Sequence, residues 1–320
     1  MQAYVLQSFD DAPRLVRVPQ PEIGHDQVLV RVHAVSINPV DLAIASGEAK
    51  NWLEYRFPVT IGRDLAGVVE RIGEGVTSFT PGDRVFGYIA RDYAHDGSFA
   101  EYVAIPEGEF IVPAPDSVDA VHAAALGLAA VTATMCLDAA GVHEGSSVLV
   151  NGATGGVGGY AVQIAKARGA KLVVGSGRPG AEEAHVRSLG ADAVVDWSAP
   201  DFARRARQTA GSGFDALIDV VTGDPAAFAT LARMVLADGG RAATTIGAAD
   251  PERLDGIEAT NVWSAPEVPL LRSIAELAAE GRVRAPVRAV YGFGEIEQAF
   301  EAVRRGALGK VCVRLMDDHE

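Results

Sequence analysis

The run Val148-Leu149-Val150-Asn151-Gly152-Ala153-Thr154-Gly155-Gly156-Val157-Gly158 constrains the fold of this chain more than any other segment. A short apolar strand beginning at Ser147, of the kind buried on both faces of a parallel sheet, enters a tight glycine turn and then a helical stretch from Val157 to Arg168. In that setting the glycines have separate jobs. Gly155 lets backbone approach a pyrophosphate, Gly158 lets helix and sheet close on one another, and the N–H groups of Gly156 and Val157 open the helix toward an anion. Ala153, preceded by Gly152, stands where such a fingerprint usually opens on glycine. The strand before and the helix after favour dinucleotide binding over an ordinary glycine turn.

Beyond the turn, strand and helix keep alternating. Leu172-Val173-Val174, Ala193-Val194-Val195, Ala216-Leu217-Ile218 and Ala242-Ala243-Thr244-Thr245-Ile246 read as strands, with Ala259-Thr260-Asn261-Val262-Trp263 as a sixth. Helical stretches lie at Ala181 to Leu189, Asp201 to Ala210 and Pro225 to Leu236, and the Ala-rich stretch Ala120 to Ala140 precedes the first strand. The alternation predicts an α/β fold, a doubly wound parallel six-stranded sheet with helices on both faces, over residues 119–263. Residues 1–118 read as short strands between turns: Gln27 to Val35 and Leu65 to Gly73 alternate, Pro81-Gly82-Asp83 turns into Arg84-Val85-Phe86, and Gly97 to Val103 enters another strand. The tail offers a helix Glu267 to Glu280, a β segment Val287 to Val290, a helix Ile296 to Arg305 and a strand Lys310 to Leu315. It is expected to rejoin the first domain, which then comprises 1–118 and 264–320.

A chain of 320 residues with 48% hydrophobic content supports two domains and a shared cleft. Its formal net charge of -14 argues against nucleic acid, because phosphate neutralisation needs clustered Lys and Arg. No apolar run approaches membrane-spanning length, and Asp10 and Asp11 interrupt the opening too soon for a leader, so a cytoplasmic protein is expected. Cys136 and Cys312 form no paired spacing for a disulfide or a metal.

The choice of nicotinamide cofactor falls at the end of the strand after the glycine turn, where an acid would grip a ribose hydroxyl. Here the residues are Gly175-Ser176-Gly177-Arg178. With no carboxylate there, Ser176 and Arg178 suit a 2′-phosphate, which favours NADPH; a solvated loop arginine is the competing reading.

Taken together, Ser36-Ile37-Asn38-Pro39-Val40-Asp41, Gly62-Arg63-Asp64-Leu65-Ala66-Gly67-Val68-Val69, Pro81 to Val85, Gly97 to Tyr102, the glycine turn and Gly309-Lys310-Val311 resemble the medium-chain dehydrogenase/reductase superfamily. Across essentially the whole chain the likeness is to its zinc-independent quinone oxidoreductase (zeta-crystallin-like) branch. The resemblance implies a GroES-like β-rich catalytic domain beside a Rossmann domain, with NADPH in the cleft. It implies that Thr132 and Asn38 lie near the nicotinamide, that Trp197 packs near the adenosine phosphate, and that Val221, Thr222, Ile246 and Gly247 flank the nicotinamide on loops. Lys310 falls at the terminal Gly-Lys position that approaches the cofactor. From the residues alone, Thr132, Asn38 and Lys310 read as a helix cap, a turn former and a solvated lysine.

By the same resemblance, the positions that hold a catalytic zinc in related alcohol dehydrogenases read Asn38 to Asp41 and Arg63, neither Cys nor His. The lobe that carries four cysteines in those enzymes is Tyr88 to Asp96 here, with none; a metal there would need unrelated ligands such as His95 and Asp96, and a surface loop is the preferred reading. Without a Lewis acid, hydride transfer suits an acceptor activated by conjugation, a quinone or the β-carbon of an enone. Many relatives place Tyr or Lys two residues after Asp41; this chain has Ala43. The oxyanion donor then falls to Tyr55, Tyr88, Tyr93, His95, Arg63 or water, and Asn38, Tyr55 and Arg63 stand as the catalytic candidates. Each donor candidate reads more readily as packing or surface than as catalytic, and Arg63 equally as an ion-pair partner of Asp64. The expectation is an NADPH-dependent, zinc-independent reductase of quinones or α,β-unsaturated carbonyls. The alternatives are a pathway-specific enoyl reductase of secondary metabolism, a non-catalytic NADPH-binding protein and a zinc alcohol dehydrogenase. A homodimer paired through the sixth strand is expected.

Overall fold

Strands dominate the first third because β-branched and aromatic residues recur between Gly, Pro and Asp turns, and the computed structural model, which describes residues 1–265 and 267–316, shows how they pair. In chain order the elements are β1 (Gln2–Leu6), β2 (Arg14–Arg17), β3 (Gln27–Ser36), α1 (Pro39–Ala45), β4 (Glu54–Thr60), β5 (Asp64–Ile72), β6 (Arg84–Tyr88), β7 (Tyr93–Asp96), β8 (Tyr102–Pro106), β9 (Ile111–Pro113) and α2 (Ala120–Ala125). A helix α3 (Gly127–Ala139) comes next. Then come β10 (Ser147–Asn151), α4 (Gly156–Ala167), β11 (Leu172–Ser176), α5 (Ala181–Ser188), β12 (Ala193–Val195), α6 (Phe202–Ala210), β13 (Phe214–Asp219), α7 (Pro225–Val235), β14 (Leu236–Thr244) and β15 (Glu258–Asn261). The chain closes with α8 (Val268–Ala279), β16 (Val287–Gly292), α9 (Ile296–Arg304) and β17 (Lys310–Arg314).

These elements form two compact units. One holds Met1–Leu128, Ala265–Glu280 and the chain from Val287 onward; the other holds Ala129–Ser264 and Gly281–Pro286. A division into 1–118 with 264–320 and 119–263 differs from this one at Gly281–Pro286, which falls in the second unit, and at α2, whose Ala120, Ala123, Ala124 and Ala125 are buried against β3 and β5. Small alanine side chains let that helix lie close on the sheet.

In the first unit a four-stranded sheet runs β2-β1-β4-β7 and a seven-stranded one runs β16-β17-β3-β5-β6-β9, with β8 also on β3. β3 is buried over most of its length because β5, β8 and β17 all pair with it; Cys312 sits opposite Ser36 and Val313 opposite Val35. Val28, Val30, Val32, Phe99, Phe300 and Val313 share its core. The lobe Tyr88 to Asp96, which reads as a surface loop, contains β7, paired in parallel with β4.

The second unit is the six-stranded all-parallel sheet in the order β12-β11-β10-β13-β14-β15, the doubly wound arrangement. Its central strand β10 is buried at all five residues, and Leu149, Val174, Leu217 and Phe228 belong to the core beside it. The single helix expected over Ala120 to Ala140 is two, α2 and α3, broken at Leu126 just before Gly127. The cause is a carboxylate: Asp64 Oδ1 accepts the Leu128 N–H at 2.7 Å. A Cβ on Gly127 would stand 2.5 Å from that same oxygen, so only glycine fits there.

Candidate functional site

The nucleotide half of the site grows out of β10. Gly152 takes φ +91°, and a Cβ there would collide with Val220 and Val221. A Cβ on Gly158 would meet Gly152 O at 2.1 Å, so the missing side chain is what lets α4 leave directly beside the strand. Gly155 is the contrary case. A Cβ there would meet only Gly152 O, at 3.7 Å, so the turn presents bare backbone on that side. Open backbone at the N-terminus of a twelve-residue helix is the cradle that a pyrophosphate needs. Ala153, at the departing position, is fully buried, and its Cβ approaches Gly175 of β11.

Neighbouring strands brace this turn. Ser176, at the end of β11, is buried, and its hydroxyl accepts the Gly152 N–H at 2.8 Å, so it supports the turn from below. After β13, buried Asp219 accepts the N–H groups of Val221 at 3.0 Å and Thr222 at 2.9 Å. The same carboxylate takes Asn151 Nδ2 at 3.2 Å, which ties that loop to the root of the glycine turn. Val221 and Ile246 are large apolar side chains left exposed on the loops after β13 and β14. Gly247 follows Ile246 after β14, and Thr132 lies buried on α3 in this same unit.

Beyond Ser176 the loop carries Arg178, whose backbone N–H and guanidinium both turn to Glu182 at the start of α5. Trp197 donates its indole N–H to the other side of that carboxylate, and the Arg178 guanidinium lies 5.1 Å from the Trp197 ring centre. Arg178 and Trp197 are therefore brought together. The acid that joins them is absent from the candidate residues, although its placement one helical turn after Arg178 was readable in the sequence.

Asn38 and Lys310 belong to the first unit, where they form a buried polar knot. Lys310 Nζ donates to Asn38 Oδ1 at 2.6 Å and lies 3.4 Å from Asp64 Oδ2; Asn38 Nδ2 and Ser36 Oγ each donate to that oxygen at 2.8 Å. Lys310 is 3% exposed and Asp64 fully buried. A solvated terminal lysine is thus ruled out, and Asp64, also absent from the candidate residues, is the centre on which three elements converge. Asp41, in the first turn of α1, accepts the Asn38 N–H at 2.8 Å, and its Oδ1 is buried without a hydrogen bond. Burial pushes its carboxyl up to about 7; the Asn38 bond pulls the other way, Asp64 adds to the rise, and Arg63 and Lys310 oppose it.

The proton-donor candidates all have partners. Tyr55 donates to Ile44 O at 2.9 Å, and burial pushes its hydroxyl up to about 12. Tyr88 donates to Ala265 O. Tyr93 receives Arg91 Nη1 at 3.2 Å, and His95 Nδ1 lies 2.7 Å from Arg56 O. Arg63 is buried and donates to Ile89 O at 2.9 Å, closing the lobe that follows β6. It makes no pair with Asp64, because successive side chains at a strand start point to opposite faces. Among the described residues, no three His, Cys, Asp or Glu side chains gather as a metal site. Burial raises both thiols, Cys136 and Cys312, to about 12, where they behave as small apolar groups.

Two family patterns match: the alcohol dehydrogenase GroES-like domain over residues 24–116 and the zinc-binding dehydrogenase over residues 189–313. The chain is 30% identical to a mitochondrial NAD(P)H oxidoreductase, RTN4IP1, of Danio rerio, across 100% of this chain and 92% of that protein. It is 32% identical to 2-methylene-furan-3-one reductase of Solanum lycopersicum, across 92% and 74%. Among solved structures, an NAD-dependent alcohol dehydrogenase superposes with a TM-score of 0.87 at 28% identity, covering 98% of this chain and 100% of the other. The quinone oxidoreductase of Coxiella burnetii does so with 0.85 at 25% identity, covering 98% and 99%. A GroES-like unit and a Rossmann unit in one chain define the class, and the chain belongs to the medium-chain dehydrogenase/reductase superfamily, in its quinone oxidoreductase branch. It is an oxidoreductase that works with a nicotinamide cofactor.

Proposed function

We propose that this protein takes hydride from NADPH and delivers it, without zinc, to a quinone or to the β-carbon of an α,β-unsaturated carbonyl. The observation that carries the reading is the glycine turn, open at Gly155 and followed at the end of β11 by a cationic Arg178 instead of a ribose-gripping acid. NADPH, when bound, supplies the hydride; the chain supplies binding and orientation. In this reading Gly155, Gly156 and Val157 hold the pyrophosphate, Arg178 and Trp197 the adenosine end, and Thr132, Val221, Thr222, Ile246 and Gly247 the nicotinamide end. Asn38 is kept in one orientation by Lys310 and Asp64. The named activity of the tomato relative, a reductase of a methylene-furanone, supports a conjugated acceptor.

What supports zinc independence is the donor set. At the two ligand positions stand Arg63, a cation, and Asn38, whose side-chain oxygen already accepts a lysine ammonium. Residues of this kind do not fit zinc. Pairing of two copies is supported by β15, which ends its sheet with β14 as its partner, and by the exposed Trp263 beside it.

The test is loss of NADPH absorbance in stopped flow across quinones and enones. Turnover with some conjugated acceptor, in protein that elemental analysis finds free of zinc, is the expected result; stoichiometric zinc overturns it. Tight NADPH binding with no turnover would instead establish a non-catalytic nucleotide-binding protein, a second reading that the engaged Tyr55 hydroxyl and Ala43 favour.

A further inference from the structure

Arg178 is not a bare cation awaiting a phosphate. Its Nε donates to Glu182 Oε1 at 2.7 Å, its Nη2 lies 2.5 Å from the same oxygen, and its backbone N–H donates to Oε2 at 2.8 Å. Trp197 Nε1 donates to Oε2 at 2.9 Å. A carboxylate offers about four lone-pair sites, and these four donors occupy them. Glu182 is therefore not the acid that grips a ribose hydroxyl in NADH-selective sites, since it has no acceptor left to offer. It stands instead as a fixed counter-charge against the Arg178 guanidinium, of which Nη1 alone has no partner among the described residues.

We propose that Glu182 is a specificity-determining residue of the nucleotide site, which sets Arg178 and Trp197 as a platform for the adenosine end while offsetting part of the charge that selects NADPH over NADH. The inference rests on the proposed nucleotide site and adds to it a reason for weak discrimination. The carboxylate does two things that can be separated. Its hydrogen bonds hold the loop and the indole in place, serving both nucleotides alike. Its charge opposes the additional phosphate that only one of the two nucleotides carries, at a range where solvent and salt screen the repulsion only in part. Burial resists its ionisation, but the bonds from Arg178 and Trp197 hold the Glu182 carboxyl below its usual range, so the counter-charge is present at neutral pH.

The test compares binding of adenosine 2′,5′-bisphosphate and 5′-AMP to the full chain by calorimetry, with quenching of Trp fluorescence as a second readout. Wild-type protein should prefer the bisphosphate modestly. Glu182→Gln removes the charge and retains a planar side chain with one carbonyl acceptor; it should raise that preference about threefold to tenfold through tighter bisphosphate binding. Arg178→Ala should abolish the preference, and the double variant should resemble Arg178→Ala. If Glu182→Gln weakens both nucleotides equally, or leaves their ratio unchanged, Glu182 only shapes the loop and the inference fails. If wild-type protein binds neither nucleotide, the nucleotide site itself is wrong, and the two failures are distinct.

Discussion

The glycine turn of the second unit and the polar knot of the first are built on opposite principles. The turn works by what its residues lack: Gly158 has no Cβ to strike Gly152 O, and Gly155 has none to fill the open side. The knot works by what its residues carry, an ammonium, a carboxylate, an amide and a hydroxyl that satisfy one another away from water. A gap tolerates loss of neighbouring charge, whereas a buried network fails when one member leaves. Asp64→Ala should therefore have the largest effect of any single change. It strands the Lys310 ammonium at 3% exposure and deprives the Leu128 N–H of its acceptor, at a cost of about 3–5 kcal/mol in urea unfolding. Lys310→Met should cost clearly less, because Asp64 keeps Ser36, Asn38 and the Leu128 N–H. Equal losses would show that the knot is not centred on the carboxylate.

Next in size is a pH effect at Asp41, beside the knot. Its carboxyl sits at about 7 in the native protein against 3.8 as the ordinary value, so between those limits the folded state holds a proton that the unfolded state has released. Stability from this group is complete below the lower limit, falls as pH rises through the window and is lost above about 7. Asp41→Asn keeps an acceptor for the Asn38 N–H and removes the ionisation. It should stabilise the protein by up to about 4 kcal/mol near pH 8 and leave it nearly unchanged near pH 3.5, read from unfolding curves at the two values. A gain independent of pH would place the effect in packing instead.

The two regions also differ in how far they can be read before folding. Every part of the turn lies within one strand, one turn and one helix, and the spacing of Gly152, Gly155 and Gly158 states the geometry directly. Nothing local marks the knot. Asn38 meets Asp64 across 26 residues and Lys310 across 272, so each looks like an ordinary polar residue until β3, β5 and β17 pair. The broken helix between α2 and α3 escaped for the same reason: alanine propensity favours one helix, and a carboxylate from β5 overrides it by capping Leu128. Arg178 lies between these cases. Its position at the end of β11 was legible, but its charge balance depends on Glu182, whose i,i+4 spacing was visible while its ties to the Arg178 backbone and to Trp197 were not.

The contrast is sharpest inside the turn itself, where two glycines three residues apart should respond differently to the same methyl group. Gly158→Ala puts a Cβ 2.1 Å from Gly152 O, against backbone that cannot rotate away; forcing α4 off the strand should cost about 1–3 kcal/mol and lower the melting temperature. Gly155→Ala meets only an atom 3.7 Å away, and its φ of -90° suits alanine, so melting should hardly change. Its methyl instead projects onto the open side of the helix N-terminus, where a pyrophosphate would lie against bare N–H groups. Nucleotide affinity should fall about tenfold, equivalent to about 1.4 kcal/mol, with the fold intact. Titration of NADP and NAD against both variants checks this. If Gly155→Ala binds both like wild type, the pyrophosphate does not lie on that side of the turn, and the reading of Gly155 as cradle rather than packing is broken.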